Sequence, residues 1–205
     1  MKISNENRAL IKKAIVEAEL KTSGEIVPVI LSKSDFYPAA HFRLALFFAF
    51  FLAVLTYNFY DFDDSVVLIW VQIPGMILGY LLGYIPFLKR LATTDAEMKE
   101  EVFQRALEVF HQSNVSKTKD RTGIMIYVSL LERRVEVMAD NGIASVVKEN
   151  YWDEIVSDLI SQIKTGKIID GMAAAVTHCG AELIANFPIA TDDENEITDE
   201  LITDL

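Results

Sequence analysis

RTGIMIYVSLLERRVEVMADNGI, residues 121–143, carries two strands and the turn between them. Gly123 to Leu131 is an apolar run rich in β-branched and aromatic residues. Arg134 to Ala139 alternates, with Val135, Val137 and Ala139 on one face, and Glu132 and Arg133 form the tight turn between the two. This is a β-hairpin. Upstream, EIVPVIL from Glu25 to Leu31 is a third short apolar run with little alternation, as expected of a strand covered on both faces. Its Pro28 has no N–H to give to a ladder and favours an edge position.

Helical spacing fills the remaining segments. Leu10, Ile11, Ala14, Ile15 and Ala18 share one face after Ser4 and before Gly24. Thr94 and Glu97 form a capping-box pair ahead of Met98, Val102, Ala106, Val109 and Phe110. Trp152, Ile155, Val156, Leu159, Ile160 and Ile163 make a clean stripe that Gly166 ends. A last helix runs from about Ile169 to Phe187 and stops at Pro188. A strand, a helix and a strand in that order predict a right-handed parallel crossover, with the third strand antiparallel to the second. The expected class is α/β: a small mixed sheet, parallel β-α-β plus an antiparallel hairpin, with helices on both faces.

The composition, 51% hydrophobic, is too apolar for an ordinary soluble chain of 205 residues, and the excess is concentrated. Between Leu44 and Leu88 only Asp61, Asp63 and Asp64 are charged. They divide LALFFAFFLAVLTYNFY (44–60) from VVLIWVQIPGMILGYLLGYIPFL (66–88). A helix needs about 20 apolar residues to cross the hydrocarbon core, so a two-helix transmembrane hairpin is predicted, turning at about residues 61–65. Lys33, Arg43, Lys89 and Arg90 flank the spans while the turn has no base, which places both termini on the cytoplasmic side of a multi-pass inner-membrane protein. Gly75, Gly79 and Gly83 recur every four residues, a stripe suited to close helix packing. It is expected to meet the first span, where Phe47, Phe48, Phe50 and Phe51 supply bulk; a homodimer through the second span is the other use. The predicted division is 1–43 with 89–188 as one discontinuous α/β domain, 44–88 as the membrane hairpin, and 189–205 as an acidic tail.

The net charge is −11, and seven acids fall in the last fifteen residues with no base among them. Only four net negative charges remain for the rest, so nucleic acid is not an expected partner. The tail has too little apolar surface to order itself, although Ile197, Leu201, Ile202 and Leu205 suit a short helix on a membrane-protein partner. One cysteine, Cys179, excludes a disulfide framework or Cys-cluster zinc site, and the histidines at 41, 111 and 178 show no ligand spacing, so no metal or cofactor is predicted.

The order of helix, EIVPVIL strand, crossover helix, residues 121–143, Trp-led helix, GKIIDGM and CGAELIANFP resembles the TPM domain family. The resemblance implies an α/β sandwich, membrane association and roles in assembly or turnover of membrane complexes; some relatives are described as acid phosphatases or calcium binders. Where many relatives have Asp-Asn-Gly entering the long strand, this chain has Arg121-Thr122-Gly123, which weakens any transfer of phosphatase or calcium chemistry.

Candidate ligand-binding residues gather at one sheet edge. If the first two strands are parallel, Glu25, Arg121 and Thr122 share their amino-terminal edge, and Asp140 reaches it at the end of the antiparallel third strand, followed by Asn141 and a permissive glycine. A Glu25–Arg121–Asp140 ion cluster is the plain expectation, and an anion held by Arg121 and Thr122 the sharper one. No nucleophile with an activating base is readable, so catalytic residues are unassigned. Two functions fit: a non-catalytic adaptor or assembly factor tethered to the membrane, or a phosphoester hydrolase at its cytoplasmic face.

Overall fold

In the computed structural model the described residues are 3–61, 65–147, 151–191 and 193–205. Phe62, Asp63 and Asp64 of the predicted membrane turn, and Asp192 of the acidic tail, lie outside them. The elements in chain order are α1 (Asn5–Glu19), β1 (Glu25–Leu31), α2 (Pro38–Phe59), α3 (Val67–Trp70), α4 (Gln72–Leu82), α5 (Pro86–Ala92), α6 (Asp95–Gln112), β2 (Gly123–Ser129), β3 (Arg134–Ala139), α7 (Asn141–Ala144), α8 (Tyr151–Lys164), α9 (Ile168–Asn186) and β4 (Ile202–Thr203). Two units result, Met1–Ser34 with Glu101–Leu205 and Asp35–Glu100.

The first unit is built on a four-stranded sheet in the order β3-β2-β1-β4. β1 pairs with β2 in parallel from Glu25↔Gly123 to Leu31↔Ser129, and β2 pairs antiparallel with β3. Every residue of β1 and β2 is buried, which explains their lack of alternation: side chains pointing either way meet a helix layer. Ile26, Ile30, Ile124, Ile126 and Val128 enter one core with the apolar stripes of α1, α8 and α9. Val27, Val29, Leu31, Met125 and Tyr127 enter the other with Val102, Ala106, Val109 and Phe110 of α6.

The segment expected as a separate acidic tail, 189–205, closes this sheet instead. Ala190 N donates to Ser23 Oγ (2.9 Å), and Glu196 N donates to Glu25 Oε1 (3.0 Å). β4 then pairs in parallel with Val29 and Ile30 of β1. At the far end Asp204 accepts from Ser32 N (2.7 Å) and Ser32 Oγ (2.6 Å). Leu201 is buried, and Ile197 and Ile202 pack on the α6-side core. Acidic residues can lie here because their carboxylates accept from backbone donors, as Glu196 does from Lys119 N (2.9 and 3.1 Å). Pro28 is accommodated because β4 begins pairing only at Val29.

The second unit holds the apolar hairpin. α2 packs on α4 through small residues from both sides, Ala45 and Ala49 being buried on α2 opposite Gly79 and Gly75, while Gly83 makes room for the buried His41 ring. A Cβ at Gly75 would lie 2.7 Å from Phe48 O, and one at Gly79 would strike the Leu44 carbonyl. The glycine stripe is thus spent on α2. The predicted bulky partners turn outward, with Phe47, Phe50 and Phe51 exposed, because backbones this close leave room only for alanine between them. Gly79→Ala is expected to cost about 2 kcal/mol by overpacking, read as earlier unfolding of the purified protein in an SDS titration, whereas Met76→Ala on the outer surface should cost little.

The second apolar run departs from the single 23-residue helix expected at 66–88. Val67–Leu82 is helical with a break at Val71, and Pro86–Ala92 then turns by 108°. The cause is local. Pro86 forces the residue before it out of the α region, and Ile85 is extended at φ −77°, ψ 118°. By length and composition two described helices suffice to cross a membrane, α2 and α9. α9, however, buries Ile168, Met172, Val176, Cys179 and Leu183 in the core of the first unit.

Candidate functional site

At the amino-terminal edge of β1 and β2 the structure joins some of the expected residues and separates others. Asp140 N donates to Gly123 O (2.9 Å), so the end of β3 lies beside the start of β2. Arg121 Nε approaches Asp140 Oδ2 at 3.1 Å, while Arg121 Nη1 donates to Ser116 O at 2.7 Å. Asp140 is almost wholly buried, but Arg121 is half exposed. Asp140-Asn141-Gly142 is not a free turn. Asp140 Oδ1 accepts from Asn141 N (2.7 Å) and caps α7, and Gly142 N donates to Arg121 O (3.0 Å). A Cβ at Gly142 would sit 2.6 Å from that carbonyl, so the close approach requires glycine there.

Glu25 stays out of the ion pair. Its side chain points with those of Val27 and Val29 toward the α6 face, where the returning chain supplies Glu196 N as its donor. Its Oε2 is buried and makes no hydrogen bond. Thr122 is not available to an anion: its hydroxyl donates to Ser23 O (3.0 Å), and its N–H is taken by Thr118 Oγ1 (3.0 Å). Among these residues, then, the structure pairs Arg121 with Asp140, uses Thr122 and Asn141 as backbone fasteners, and turns Glu25 toward the C-terminal segment.

Arg121→Ala is expected to lower stability by roughly 1 to 2 kcal/mol, since it leaves the Asp140 carboxylate buried beside no cation. Arg133→Ala provides the control, because Arg133 also has positive φ, 56° against 59°, and the backbone penalty of alanine is therefore matched. Equal denaturation midpoints for the two variants would show that the ion pair contributes nothing.

Two polar clusters escaped the sequence reading. At the carboxyl ends of the parallel strands, Ser34 Oγ lies 2.9 Å from Tyr127 Oη and donates to Ser129 Oγ (3.0 Å). Ser129 Oγ in turn donates to Glu132 Oε2, and Glu132 Oε1 accepts from Ser34 N (3.0 Å). Tyr127, Ser129 and Glu132 are fully buried, and burial raises the Tyr127 hydroxyl above its ordinary pKa. The Ser129–Glu132 contact has the composition of a nucleophile and a base but no access for a substrate, so it fastens the β2–β3 turn to the segment after β1. Polar side chains at 127 and 129, two apart within an otherwise apolar run, were its signal.

The second cluster is carboxylic. Glu19 Oε1 accepts from Ile26 N (2.8 Å), and burial pushes its carboxyl up to about 8, with Glu25 and Asp199 nearby adding repulsion. Burial also raises Glu25, with Glu196 and Asp199 as like-charged neighbours. No group of three or more metal-ligating side chains is assembled among the described residues, and Cys179 is buried with its thiol pushed far up by desolvation.

Comparison with known proteins agrees with this architecture. The solved structure of the BA42 protein from the psychrophilic bacterium Bizionia argentinensis superposes with a TM-score of 0.61 at 21% identity, over 99% of this chain and 96% of that one. At that identity the likeness speaks to the fold alone. No curated protein matches the chain. The TPM domain family matches residues 90–182, from within α5 to near the end of α9, and so takes in α6, the β2–β3 hairpin and α8. Over residues 90–182 this chain is thus similar to the TPM domain.

Proposed function

We propose that this is a membrane-anchored, non-catalytic protein whose TPM-like domain stands at the cytoplasmic face of the inner membrane and serves the assembly or turnover of membrane-protein complexes. The observation that carries the reading is the α2/α4 pair. Its backbones meet through glycine and alanine while phenylalanines, leucines and isoleucines cover its outside, which reverses the arrangement a water-soluble helical pair would need. The polar groups of the α/β unit support the same reading, because the candidate site residues and the Ser34–Glu132 network serve as structural bonds.

Sidedness follows the bases. Arg43 makes a bidentate pair with Glu97 (2.7 and 2.8 Å), which holds that carboxyl down to about 2, and Lys89 Nζ donates to Phe36 O (3.0 Å). Cations are thereby concentrated at one end of the hairpin. With Cys179 buried, single cysteines at Ser65 and at exposed Ser161 report topology. An impermeant thiol reagent added to intact cells is expected to modify Ser65→Cys and to spare Ser161→Cys until the cells are broken. Reverse labelling would invert the topology. The purified protein is expected to release no phosphate from a generic phosphomonoester with or without divalent metal, and sustained turnover would replace the adaptor reading with a hydrolase.

A further inference from the structure

The bend after α4 leaves a short helix with an unusual surface. In α5, Phe87 and Leu91 stand one turn apart on the same face and are 70% and 72% exposed, whereas the charged Lys89 between them is buried and bonded to the Phe36 carbonyl. A helix facing water would turn these groups the other way. The neighbouring side chains continue the apolar surface: Phe36 and Tyr84 are exposed, and the exposed Phe42 of α2 meets Tyr80 edge to face at 5.9 Å. Aromatic side chains gathered at one end of an apolar hairpin are typical of a headgroup boundary.

Length and direction point the same way. Sixteen residues from Val67 to Leu82 rise about 24 Å, short of a hydrocarbon core of roughly 30 Å. At 108° to that axis, α5 runs nearly across it, so with α4 close to the bilayer normal α5 lies close to the membrane plane.

We infer that α5 is an in-plane anchor that inserts Phe87 and Leu91 into the headgroup–acyl boundary of one leaflet, so that the second apolar run is a short span followed by an interfacial helix rather than a continuous crossing. The occupant of this face is lipid. The inference rests on the membrane reading of the hairpin, and the two are separable by experiment.

Full-length protein bearing an environment-sensitive fluorophore on a single cysteine at Phe87, Leu91, Met76 or Ser161 is reconstituted into phosphatidylcholine–phosphatidylglycerol vesicles. These carry nitroxide-labelled lipid, the nitroxide either near the headgroup or near the acyl terminus. Probes at 87 and 91 are expected to be quenched about twofold or more by the shallow nitroxide over the deep one, as for a face buried about 5 to 10 Å. The probe at 76 should favour the deep nitroxide, and the probe at 161 should respond to neither. If 87 and 91 are quenched by neither while 76 is quenched deep, α5 faces water and the inference falls with the hairpin intact. If 87 and 91 match 76 in preferring the deep nitroxide, α5 continues the crossing and the inference also falls. If 76 is itself unquenched, the membrane reading fails and takes the inference with it.

Discussion

Removal of residues 194–205 is expected to lower the unfolding temperature of the detergent-purified protein by about 10 °C, corresponding to roughly 3 kcal/mol. Leu201 is buried and Ile197 and Ile202 pack on the α6-side core, so truncation exposes their cavity lining as well as one edge of β1. Ordering the segment costs conformational entropy, which is why the loss is smaller than the summed burial suggests. Leu201→Asp keeps the chain length and should reproduce most of the drop, because it places a charge at a site with 6% exposure. An unchanged melting curve for both would mean that the segment rests on the sheet without stabilising it.

The same segment should come loose as the pH rises. Glu19 titrates at about 8 in the folded protein and Glu25 is also raised, so in both the folded state favours the neutral carboxyl. A carboxyl raised on folding contributes stability that is complete below its unfolded value, near 4.5, and is lost as pH climbs through the folded value. The charged groups facing this pair are Asp199 and Glu196, both acidic; the ion pair that α1 makes with the segment, Lys12 with Glu200 at 4.0 Å, is exposed and weak. Between pH 5 and pH 9 the docking of the segment is expected to weaken, as Glu19 and Glu25 ionise opposite the carboxylates of Asp199 and Glu196. Amide exchange at Glu196 and Ile202, corrected for intrinsic rate, reads this directly. Glu19→Gln retains an oxygen to accept from Ile26 N and cannot ionise, so its profile should be flatter, and an equally steep one would assign the effect elsewhere.

Local pattern makes most of the α/β architecture legible in the sequence alone. EIVPVIL, the 121–143 hairpin, the Thr94–Glu97 box and the stripes of α1, α8 and α9 each signal their element through neighbours a few residues away, and the parallel pairing follows from chain order. β4 is hidden because what stabilises it is remote: the partners of residues 196–204 include Glu25 to Ser32 and Lys119, and a run of acids close in sequence reads as solvated when those partners are out of view. The α5 bend had its signal in Pro86, outweighed by the apolar length around it. At the candidate site, register alone brought Arg121 and Asp140 together. Glu25 shares their face of the sheet by register, yet it stays apart because its carboxylate is taken by Glu196 N of a segment expected to be loose.

The parallel pairing of β1 with β2 has a bearing on biosynthesis. Residues 32–122, including both apolar runs, are made after β1 and before its partner. At about 5 to 20 residues per second that interval lasts roughly 5 to 20 s. Throughout it, a seven-residue strand destined for burial on both faces has no neighbour to bond, while two long apolar runs are synthesised behind it. Such a nascent chain depends on α1, complete just ahead of β1, or on a chaperone to keep EIVPVIL out of wrong pairings. Mutations that weaken α1 should therefore reduce yield during synthesis more than they destabilise the finished protein.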